Sequence, residues 1–105
     1  MAYSKLKRHN DAIGAYRQAV KINPGYSYAW NNLGNAYNEL NRSSDAVNAY
    51  RQALDIDPNR AYVWYNLGIA HLKTGNQVAA LDVVKNLQRL SPEQADLLLS
   101  MIGPR

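Results

Sequence analysis

The chain has 105 residues, 47% of them hydrophobic, and 12 basic against 8 acidic side chains, which makes one structural unit with a mild surplus of +4. With no cysteine it supports neither a disulfide framework nor a thiolate zinc site, and it lacks the run of about 18 apolar residues that crosses a membrane. The basic stretch 1–10 has no apolar segment of a secretory signal; a cytoplasmic setting is the default expectation, and a mature periplasmic protein or an excised fragment would read the same.

The spacing of apolar residues predicts helices near 1–7, 10–22, 27–40, 44–56, 61–74, 78–90 and 92–102, and no strands. Asn23-Pro24-Gly25 reads as a tight turn after the second of these. Leu33, Ala36, Tyr37 and Leu40 then form one helical stripe, interrupted by Gly34, whose cost of about 1 kcal/mol makes sense if a neighbouring helix approaches closely. Asn41 suits a left-handed turn, and Ala46, Val47, Ala49, Tyr50, Ala53 and Leu54 make the next stripe. Asp57-Pro58-Asn59 is a second tight turn, and Gly68 and Gly75 repeat the roles of Gly34 and Asn41. Ser91-Pro92-Glu93-Gln94 opens the last helix, with Ser as N-cap and Pro at the first position.

The elements recur with a step of 34 residues. Trp30 falls on Trp64, Leu33 on Leu67, Gly34 on Gly68; Pro24, Pro58 and Pro92 are evenly spaced, as are Ala12, Ala46 and Ala80. Ala15-Tyr16-Arg17-Gln18-Ala19 returns unchanged as Ala49-Tyr50-Arg51-Gln52-Ala53. A fixed period of this length predicts a stacked solenoid whose function sits on a surface shared by several repeats.

Residues 27–60 carry Trp30, Leu33-Gly34, Tyr37, Ala46, Tyr50, Ala53 and Pro58. This pattern resembles the tetratricopeptide repeat, W-x2-L-G-x2-Y followed by Ala, an aromatic, Ala and Pro. Residues 61–94 form a further unit, with His71, Val84 and Leu87 replacing Tyr, the aromatic and the second Ala; residues 1–26 form a partial unit, and 95–105 a capping helix and tail. The resemblance covers essentially the whole chain. It implies an all-α, right-handed superhelical solenoid of antiparallel helix pairs, acting as a non-catalytic protein-interaction scaffold.

In that family the first helix of each pair lines a concave groove that holds extended peptides. The groove positions correspond here to Tyr28, Asn31, Asn32, Asn35, Asn38 and Glu39 in one repeat, and to Tyr62, Tyr65, Asn66, Ile69, Leu72 and Lys73 in the next. An Asn amide both donates and accepts, so it pairs with a peptide backbone in either sense, while Tyr gives rigid contact area with a polar tip. The pair Asn32 and Asn66 resembles the asparagine ladder of O-linked N-acetylglucosamine transferase repeats. A chaperone-type carboxylate clamp is not expected, because Asn31, Asp96 and Ser100 stand where cationic residues are needed.

Both ends look open. The short first helix would leave Ile13, Tyr16 and Val20 uncovered, and the last helix carries Leu97 and Leu99 beside the covering stripe Leu98, Met101 and Ile102. End-to-end stacking or helix exchange into a homo-oligomer is therefore the alternative to peptide binding. Lys5, Lys7 and Arg8 are the one basic cluster, without a stripe of stacking aromatics, so nucleic acid is not an expected partner. No His, Asp or Glu spacing suggests a metal, no glycine-rich loop a cofactor phosphate, and no nucleophile motif a catalytic residue. His71, on a packed face, reads as a neutral, hydrogen-bonded residue.

Overall fold

The computed structural model describes residues 2–103, with side chains from residue 8 onward. Among the described residues there are six helices and no strand: α1 (Ala2–Ile22), α2 (Ser27–Glu39), α3 (Ser43–Ile56), α4 (Ala61–Lys73), α5 (Gln77–Leu90) and α6 (Pro92–Ile102). Five of these match the expected elements closely. The two helices expected over 1–7 and 10–22 are instead one continuous helix, α1.

The turns explain that difference. At the end of α2, Asn41 adopts φ 59°, the Asn41 N–H donates to the Asn38 carbonyl and the Arg42 N–H to the Tyr37 carbonyl at 2.9 Å. Gly75 does the same after α4 with φ 79°, its N–H bonding to the Leu72 carbonyl and the Asn76 N–H to the His71 carbonyl at 2.8 Å. These are Schellman ends, which need a residue tolerant of the left-handed region. One 34-residue step earlier the chain has Lys7, a good helix former with no such tolerance, and the helix runs through. The side chains of Lys5 and Lys7 lie outside the described residues.

Side-chain hydrogen bonds fix the starts of the remaining helices. The Trp30 and Trp64 indole N–H groups donate to the Pro24 and Pro58 carbonyls at 2.8 and 2.7 Å, so each tryptophan ties its helix to the preceding turn. Asn76 Oδ1 accepts from the Ala79 N–H and Ser91 Oγ from the Gln94 N–H, opening α5 and α6. Asp57 and Arg60 form an exposed ion pair across the turn before α4.

Each helix packs on its chain neighbours, and the inner helices α2, α4 and α6 also pack in sequence, α2 on α4 and α4 on α6. The outer helices α1, α3 and α5 make no packing contact with one another among the described residues. Close inner and splayed outer helices curve the stack around the inner face. The core is made of small residues at the crossings, Ala46, Ala53 and Ala80, with Tyr50, Leu87 and Leu98 as large, fully buried side chains. The close approaches anticipated at the two glycines are present. A Cβ on Gly34 would lie 2.6 Å from Tyr50 Cε1, and one on Gly68 would overlap Leu98.

Candidate functional site

On α2 the residues Asn31, Asn35 and Asn38 follow the i, i+4, i+7 spacing of one helix face. Asn35 Oδ1 accepts two hydrogen bonds, from the Tyr50 hydroxyl at 2.6 Å and from Asn66 Nδ2 at 3.4 Å. Burial, with a smaller contribution from the Glu39 carboxylate, pushes the Tyr50 hydroxyl well above its ordinary range, so it stays a proton donor. The pairing of Asn66 with Asn35 thus joins α4 to α2 and both to the core beneath.

The neighbouring asparagines differ. The Oδ1 atoms of Asn31 and Asn38 are buried without a hydrogen-bond partner, an arrangement that costs about 1–3 kcal/mol per group if no donor reaches it. Asn32 is half-buried and makes no side-chain hydrogen bond among the described residues, which leaves its amide available.

The other expected groove residues divide by exposure. Tyr28, Tyr62 and Lys73 are exposed, whereas Tyr65, Ile69 and Leu72 are half-buried and packed against the core. Asn31 departs from the expectation of a groove surface. It is 3% exposed, because α2 is packed by α1, α3 and α4 together. Tyr26 was absent from the expected set; its exposed ring lies 6.2 Å from that of Tyr28 at the start of α2.

The ends also need correction. Ile13 and Val20, expected on an open face, are buried, since α1 packs directly on α2; Tyr16 is half-buried. At the other end Leu98 and Ile102 are covered as expected, but Met101 is 51% exposed beside Leu97 at 55%, and Leu99 is exposed too. One repeat earlier, the equivalents Leu67 and Val63 are 4% and 2% exposed. There α4 is packed by α3, α5 and α6, whereas α6 is packed by α4 and α5 alone among the described residues.

Among the described residues no three His, Cys, Asp or Glu side chains come together as a metal site, and no helix is long and apolar enough to cross a membrane. His71 is buried as expected, but its imidazole has no hydrogen-bond partner among the described residues. Burial first, and the Arg51 charge second, lower its pKa and keep it neutral. It borders a cavity of about 620 Å³ between α3 and α5; a second cavity of about 390 Å³ lies between α1 and α3. Sequence reasoning missed both, because they depend on the spacing of the outer helices.

Three family models match the chain: TPR repeat over residues 34–75, and tetratricopeptide repeat over 15–48 and over 1–26. No curated protein matches it. Among solved structures, a crystal structure of MamA is 24% identical with a TM-score of 0.75, covering 84% of this chain and 48% of that one. The chain therefore spans about half the length of MamA. The second TPR domain of human RPAP3, solved by NMR in complex with the HSP70 peptide SGPTIEEVD, is 21% identical with a TM-score of 0.87, covering 99% and 88%. The Arabidopsis OM64 TPR domain is 22% identical with a TM-score of 0.83, covering 97% and 86%. At these identities the likeness shows the fold.

Proposed function

Because the chain belongs to the tetratricopeptide repeat family, we propose that it is a non-catalytic protein-interaction scaffold that holds an extended peptide segment along the inner face of α2 and α4. The observation that carries this reading is the asparagine face. Asn32 has a free amide, and Asn66 keeps a free side-chain carbonyl after donating to Asn35. A peptide backbone supplies N–H and C=O groups in the alternation such amides satisfy. Exposed Tyr28 and Tyr62 flank the asparagines and supply side-chain contacts. The peptide complex of RPAP3 supports the general mode. Recognition through a two-carboxylate clamp is not part of the proposal, since Asn31, Asp96 and Ser100 are not cationic.

The test starts from a peptide selected by display on the whole chain. Asn32→Ala combined with Asn66→Ala is expected to weaken that peptide by about 2 kcal/mol, roughly thirtyfold in Kd, for two lost hydrogen bonds. Circular dichroism should show unchanged helicity. Unaltered affinity in the folded double variant removes the groove assignment.

The exposure of Leu97, Leu99 and Met101 favours a second reading, self-association through α6. Leu97→Glu with Leu99→Glu should then reduce the mass measured by light scattering to that of a monomer. A parent chain whose mass is already monomeric across concentrations rules this reading out.

A further inference from the structure

The two outer cavities are copies of each other. Apart from Gln52, every residue lining the α1–α3 cleft has its counterpart, 34 residues on, lining the α3–α5 cleft. The geometry is a consequence of the repeat; the charge is not. In the α1–α3 cleft, Arg17 and Lys21 stand one turn apart on the α1 wall and form no ion pair among the described residues. Asp45 at the opposite wall is already held by Arg42 at 2.9 Å. The floor is apolar, made by Val20, Ala49 and the ring of Trp30, whose N–H is committed to the Pro24 carbonyl. In the sister cleft Lys21 becomes Asp55 and Asn48 becomes Asp82, with one cation, Arg51, remaining. A fixed aromatic floor beside two unpaired cations is thus particular to the first cleft.

We propose that the α1–α3 cleft, on the side of α2 away from its asparagines, docks a peptide segment in which a leucine-sized apolar side chain neighbours a carboxylate. The apolar side chain lies against Trp30 and the carboxylate meets Arg17 and Lys21. The volume of about 390 Å³ falls in the range of ligand pockets, about 300–1,000 Å³. A small free anion would leave the apolar floor unused, and two cations are too few for a nucleic-acid backbone track.

The chain reports on this itself, having two tryptophans, one in each cleft. The probe is an end-blocked hexapeptide of alternating Leu and Glu, titrated into the isotopically labelled chain while the two indole N–H resonances are followed. Trp64→Phe assigns them. The Trp30 resonance should move saturably and the Trp64 resonance should not. The Leu–Gln analogue should bind about tenfold more weakly, as should the Leu–Glu peptide to Arg17→Gln with Lys21→Gln, and binding should fall with salt. Asn32→Ala with Asn66→Ala should leave the response intact, which separates this cleft from the inner face. The proposal is overturned if neither resonance moves, if both move alike, if the charge variant binds as well as the parent, or if the groove variant abolishes binding. It is also overturned if the Trp30 resonance shifts with protein concentration alone, because a second copy then fills the cleft.

Discussion

Leu98→Ala is expected to destabilise the chain by about 3–4 kcal/mol, within the range for Leu→Ala in well-packed cores. Leu98 is fully buried, and one of its methyl groups occupies the space a Cβ on Gly68 would need. It meets α4 at Gly68, on a helix that packs on both α4 and α5. In a stack where each unit touches only its neighbours, the loss should be local first. Hydrogen exchange in α6 should accelerate before that in α2 and α3, and urea unfolding should give the total. Leu97→Ala, one residue away on an exposed position, is expected within about 0.5 kcal/mol of the parent. A Leu98→Ala loss below about 1 kcal/mol would mean that α6 is not seated as described.

Much of this architecture was legible because the repeat compares the chain with itself. Gly34 and Gly68 on helical stripes announced close crossings, and Asn41 and Gly75 announced the left-handed ends. What escaped was tertiary. Helices over 1–7 and 10–22 copy, 34 residues back, the pairs that follow, yet a break between them needs a chain-reversing residue, and Lys7 is not one. Asn31 and Asn32 are adjacent and chemically identical; only the packing around α2 buries the first and leaves the second available. Met101 is apolar and correctly spaced to cover the third repeat, but its side chain stays 51% exposed, because α4 and α5 take up the other face of α6. The charge inversion between the two outer clefts was present in the letters, Lys21 against Asp55 and Asn48 against Asp82. It acquired meaning once the structure showed those positions facing one cavity.

Gly34→Ala is expected to cost about 1–3 kcal/mol by overpacking, although Ala is favoured over Gly in a helix by about 1 kcal/mol. The added Cβ would lie 2.6, 2.7 and 3.0 Å from Tyr50 Cε1, Cδ1 and Cζ. The ring moves aside only at the expense of its packing and its hydrogen bond to Asn35, being fully buried. Gly14 provides the control. A Cβ there meets nothing within 4 Å, so Gly14→Ala should be neutral or stabilising by up to about 1 kcal/mol. The third repeat suggests the compensating change, since Val84 stands where Tyr50 does. In a Tyr50→Val background the penalty of Gly34→Ala should largely vanish, giving a coupling of about 1–2 kcal/mol in a double-mutant cycle. Additive effects would mean that the clash is not the cause. The same cycle connects the core to the inner face. Moving the Tyr50 ring withdraws one of the two donors to Asn35, so Gly34→Ala should also shift the side-chain amide resonances of Asn35 and Asn66, which Gly14→Ala should leave in place.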